Sequence, residues 1–87
     1  MDCIKSKAEE IRTRLNRELK VGDARAKVDE VLRVADIGYD YDAFQNRYQS
    51  TVRDSKCGPY QAVSVYISFD SSQRVLKIDV RETFTGP

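Results

Sequence analysis

Residues 63–80 read VSVYISFDSSQRVLKIDV, and the fold turns on how they are read. Val63, Val65, Ile67 and Phe69 alternate with Ser64, Tyr66 and Ser68, the two-residue period of a strand with one apolar and one polar face. Leu76, Ile78 and Val80 repeat the pattern against Lys77, Asp79 and Arg81. The polar run Asp70-Ser71-Ser72-Gln73-Arg74 between them has the composition of a hairpin loop. Such a pair needs a cover on its apolar side only.

Upstream, Cys57-Gly58-Pro59 marks a second turn, which predicts a preceding strand with Tyr48 and Val52 facing inward. Phe44, Tyr48 and Val52 also fit helical spacing, so this segment is the less sharply defined one. The cover comes from the first half of the chain. Ile4, Ala8, Ile11, Leu15 and Leu19 recur at steps of four and three, one stripe on a helix, and Glu10 with Arg14 forms a favourable i,i+4 pair. Core packing suits this helix better than a membrane surface, because its polar face mixes both charge signs and its apolar face has no Trp or Phe. Gly22 offers a left-handed exit, and Asp23 is positioned to cap a second helix carrying Ala24, Val28, Val31, Leu32 and Ala35 on one side and stopping near Gly38.

The expected architecture is therefore α+β: two N-terminal helices, about 4–20 and 24–36, packed on one face of a three-stranded antiparallel sheet. Its strands are expected at about 47–54, 60–70 and 75–83, giving a two-layer ααβββ sandwich in a single domain over 1–87. With 87 residues there is room for one modest core and no linker or repeat divides the chain.

Composition bounds the chemistry. The net charge of +1 supplies no general attraction for nucleic acid or acidic lipid. The chain has no histidine, so the side chain that most readily moves protons near neutral pH is missing, and with it the commonest zinc ligand. Cys57 has no histidine to activate it as a nucleophile, and the serines sit in turns or on the polar strand face. No catalytic residue, metal site or cofactor is expected. The run DIGYDYDAF invites a calcium reading through Asp36, Asp40 and Asp42, but their spacing, the early Gly38 and the lack of a closing glutamate do not match an EF-hand loop. Arg47, Arg53, Lys77 and Arg81 around Tyr66 suggest a single-strand RNA surface, yet a lone aromatic opposed by Asp79 reads better as a solvated face.

Cys3 and Cys57 are the only cysteines. In an exported protein they can close one disulfide over a long loop. In a reducing compartment both stay thiols. No apolar segment precedes Cys3, which at face value keeps the chain where it is made.

The runs LKVGDARAKVDEVL and VSVYISFDSSQRVLKIDV resemble the small outer-membrane lipoproteins of the SmpA/OmlA type, also called BamE-like. Members show a Gly-Met-Ser/Thr-x-x-x-Val-x-x-x-Leu pattern, then a strand, an Asp/Asn-x-x-Gly turn and another strand. Gly22, Val28, Leu32, Phe69, Asp70 and Val75 occupy matching places over roughly residues 19–80, with Gln73 where a turn glycine is usual. The resemblance implies a bacterial envelope protein held at the periplasmic face by lipid, with Cys3 as the acylated first residue of the mature chain and Cys57 then unpaired.

The functional expectation is a non-enzymatic module that binds a protein partner, with recognition in the loops near Gly38–Phe44 and Ser55–Tyr60. Tyr39, Tyr41 and Tyr60 are the chosen contacts, since tyrosine provides area at low entropy cost; packing at the edge of the core is their other reading. The rivals are an inhibitor or immunity-type protein that binds an enzyme or toxin, and a cytoplasmic nucleic-acid-binding domain.

Overall fold

A computed structural model describes residues 3–84, so Met1, Asp2 and the closing Thr-Gly-Pro, with any question about the true start of the chain, lie outside the described residues. The elements run α1 (Cys3–Glu18), α2 (Arg25–Val34), β1 (Asp40–Asp42), β2 (Arg47–Val52), a 3-10 turn (Ser55–Cys57), β3 (Gln61–Phe69) and β4 (Val75–Phe84). The sheet is an antiparallel meander in the order β1-β2-β3-β4. It has four strands where the sequence predicts three. The added strand, Asp-Tyr-Asp, pairs Asp40, Tyr41 and Asp42 with Gln49, Tyr48 and Arg47. Three residues with an aspartate at each end carry too little apolar alternation to announce a strand.

The helices cover one face as expected. Ile4, Ala8, Ile11, Leu15 and Leu19 are all buried, joined by Val28, Val31 and Leu32 from α2. They meet Val63, Val65, Ile67 and Phe69 of β3, with Tyr48, Val75 and Val80 beside them. Leu76 departs from its expected place. Phe69 pairs with Val75 and Ser68 with Lys77, so Leu76 is the extra residue of a bulge and is 57% exposed. Val75 takes the core position in its stead.

The start of α2 is built differently from the sequence expectation. Asp23 does not cap it: its carboxylate accepts from the Lys20 amide at 2.8 Å, while the Arg25 N–H donates to the Gln73 carbonyl at 3.1 Å. The β3–β4 loop therefore closes the start of the helix, fixed by the Ala24–Arg74 bridge. At the other end the helix stops a few residues before Gly38, as expected, and the left-handed residue of the ending is Asp36 (φ 57°). Its N–H reaches the Arg33 carbonyl and that of Ile37 the Leu32 carbonyl, the paired bonds of a Schellman ending.

Candidate protein-interaction site

Beyond α2 the chain turns into the β1–β2 hairpin, and a hydrogen-bonded aromatic cluster fixes it there. The Asp29 carboxylate accepts from the phenols of Tyr39 (2.7 Å) and Tyr48 (2.5 Å), and Arg25 Nε donates to the Tyr48 oxygen at 2.7 Å. The Arg25 guanidinium lies 4.0 Å over the Tyr41 ring, and the Tyr48 ring packs tilted against Tyr39 at 4.5 Å and edge-to-face against Phe69 at 4.9 Å. The bond to Asp29, reinforced by burial, pushes the Tyr39 phenol up to about 12. Burial, then Asp29, raises Tyr48 in the same direction. Both phenols are held protonated as donors to one carboxylate.

The tip of the hairpin is just as firmly set. Asp42 Oδ1 accepts from the amides of Phe44 and Gln45 at 3.0 and 3.3 Å, an Asx turn. Asn46 adopts φ 52° and donates to the carbonyls of Phe69 and Asp70 at 3.1 and 3.0 Å, while its Oδ1 accepts from the Tyr41 hydroxyl at 2.8 Å. Phe44, held between these, is 99% exposed. Nothing in the packing of the domain calls for an aromatic there.

The residues chosen from sequence separate accordingly. Tyr39 is half-buried and braces the hairpin from below, whereas Tyr41 is 40% exposed on it. Tyr60 is 52% exposed at the opposite end of the sheet, beside the Gln61–Phe84 pair. Only Tyr41 joins Phe44. Phe44 lies inside the segment expected to recognise a partner but is not one of the three expected contact residues; its signal in the sequence is an aromatic within an aspartate-initiated turn.

Cys3 is disulfide-bonded. Its Sγ is bonded to that of Cys57, with the Cα atoms 5.4 Å apart, so the sulfur that acylation requires is not a thiol in this structure. Of the states the sequence left open, the structure has the disulfide. It ties the first turn of α1 to the 3-10 turn ahead of Tyr60.

The outer sheet face gathers Arg47 and Arg81 on either side of Tyr66, at 4.3 and 5.8 Å from its ring. Each cation has a carboxylate: Arg81 pairs with Asp79 at 2.6 Å and Arg47 stands 3.9 Å from Asp42. Arg53 turns away to the Pro59 carbonyl. The carboxylates offset the two arginine charges beside the Tyr66 ring. Among the described residues no group of three or more His, Cys, Asp or Glu side chains is arranged to hold a metal ion. Among the described residues no helix is long and apolar enough to cross a membrane.

No protein-family model, curated protein or solved structure matches this chain.

Proposed function

We propose that this chain is a non-enzymatic protein-binding module of an oxidising compartment, and that it grips its partner with the tip of the β1–β2 hairpin. The observation that carries the reading is Phe44, an aromatic side chain 99% exposed on a turn whose backbone is pinned on both sides. An anchor on a fixed backbone loses little main-chain entropy on docking, and aromatic residues dominate the energetics of protein interfaces. Tyr41, with the Arg25 guanidinium on its ring, adds a second contact next to it.

The Cys3–Cys57 bond supports an extracytoplasmic setting, since such bonds persist where thiols are not kept reduced. Kinship with the SmpA/OmlA-type envelope proteins is part of the proposal; the order of two helices and then an antiparallel meander supports it, and β1 is an addition to that pattern. Lipid on Cys3 is not, because one sulfur cannot carry both bonds.

The test is a photo-reactive phenylalanine analogue placed at position 44, or at Thr13 on the exposed side of α1, in cells producing the protein. The proposal expects one protein to be captured from position 44 and not from position 13. Equal labelling from both positions, or none from 44, contradicts it.

A further inference from the structure

β1 covers only half of the strand it pairs with. Phe69 N–H donates to the Asn46 carbonyl, so the alternation of an antiparallel pair turns the backbone groups of Tyr48, Ser50 and Val52 toward β3. Those of Arg47, Gln49 and Thr51 then point the other way. Arg47 and Gln49 meet Asp42 and Asp40 of β1, but Gly38, the residue that would face Thr51, has bent off toward α2 and gives its carbonyl to the Ser50 hydroxyl instead. Among the described residues no backbone hydrogen bond joins Thr51 to this loop. The N–H and C=O of Thr51 form an open stretch of sheet edge, and Arg53 follows just beyond the end of β2.

The far edge is different. The same alternation turns Val80 of β4 outward, and there Arg12 Nη2 donates to its carbonyl at 2.7 Å, so a side chain of α1 occupies the middle of that edge.

Two grooves flank the open stretch, one on each face of the sheet. The outer, about 530 Å³, runs along Thr51 between Gly38 and Tyr66 and is polar, with Asp40 and Gln49 in its wall. The inner, about 290 Å³, opens between α1 and the end of α2, with Ile11, Ile37 and Val52 as an apolar floor. At its rim Lys7 and Arg14 have carboxylate neighbours in Glu10 and Glu18. Arg53 has no carboxylate within ion-pair distance among the described residues.

We propose that this open edge is a peptide-binding site that takes an extended segment of a partner protein as an additional strand beside Thr51. Main-chain bonds to Thr51 supply the attachment, and alternate side chains fall into the two grooves, the arrangement by which strand addition combines affinity with selectivity. The segment that fits has an aliphatic residue facing inward onto Ile11, Ile37 and Val52, small polar residues facing Tyr66, and an acidic residue beside Arg53. The site is separate from the Phe44 tip and does not depend on it.

Capped peptides in which threonine alternates with leucine, carrying one glutamate or one lysine beside the central leucine, test this by NMR-detected amide exchange on the oxidised protein. The glutamate peptides are expected to bind and to slow exchange of the Thr51 N–H by roughly tenfold or more, since exchange reports local opening. The lysine peptides should bind roughly tenfold more weakly, and Arg53→Glu should reverse that preference. N-methylation of the peptide backbone at residues facing Thr51 should abolish binding, while N-methylation at the residues between them should not. Phe44→Ser is expected to leave peptide binding unchanged, which separates this site from the hairpin reading. Absence of Thr51 protection by every peptide in the set, or equal loss from N-methylation on either edge, overturns the proposal.

Discussion

Replacing Cys3 and Cys57 together by serine removes the one covalent link between the start of α1 and the sheet. The bond closes a loop of sequence separation 54. Restricting a chain over that span raises the free energy of the unfolded state by roughly 4 kcal/mol on the loop-entropy relation. A domain of this size loses about 4–8 °C of midpoint per kcal/mol, so the double variant should melt roughly 20 °C below the oxidised protein. Such a loss is large beside the roughly 5–15 kcal/mol that holds a domain folded, and small single-core domains sit near the bottom of that range. The stripe from Ile4 to Leu19 remains to dock α1, so helix content at low temperature should persist. Circular dichroism melts of three samples check the reasoning: oxidised protein, the same protein with reductant, and the double variant. The last two should coincide well below the first. A double variant melting within about 5 °C of the oxidised protein would refute the idea that this loop limits the unfolded chain.

Stability should also respond to alkali. The folded state holds the Tyr39 proton up to about 12 against an ordinary value of 10.0, with Tyr48 shifted the same way, so only the unfolded chain releases these protons as pH first passes 10. The stabilisation is complete below that pH and is lost on the way to about 12; denaturant melts should show a decline across this window that Asp29→Ala flattens. At neutral pH Asp29→Ala should cost about 3 kcal/mol, from two hydrogen bonds to a charged acceptor, by urea titration. Leu76→Ser should change stability by less than about 0.5 kcal/mol, while Leu32→Ala should cost roughly 2–5 kcal/mol in the same titration. Gln73 has φ 60°, and Gln73→Gly should raise stability by about 0.5 kcal/mol, the relief of left-handed strain outweighing the exposed contact to Arg25.

The parts of the fold written in apolar periodicity were readable in advance. The α1 stripe from Ile4 to Leu19 and the Val63–Phe69 alternation are repeats long enough for local spacing alone to show which side faces inward, and every apolar residue on the inward side of both is buried. What escaped reading was set by tertiary contact. Leu76 follows the alternation on paper, yet one extra residue at the Ser68/Phe69 irregularity shifts it to solvent. Asp23 looks like a cap, but a carbonyl brought from Gln73 stands at the helix start, and the left-handed residue that ends the helix is an aspartate, Asp36. β1 exists because the aromatic cluster of Tyr39, Tyr41 and Tyr48 ties its chain to the sheet and to α2 through Asp29, and no local propensity reports that. The Gly38–Phe44 segment was marked for recognition because of its tyrosines, whereas the side chain left bare is the phenylalanine between Asp42 and Asn46. Exposure of an apolar residue on a pinned turn is a three-dimensional property.

The most direct test of the account is the affinity of Phe44→Ala for the protein captured from position 44, set beside its thermal midpoint. A loss of about 2 kcal/mol or more in binding, roughly thirtyfold, with a midpoint within about 2 °C of the parent is expected for an anchor that does no work in the fold. Unchanged affinity, or a fall in midpoint of the size expected for a core residue, would contradict it.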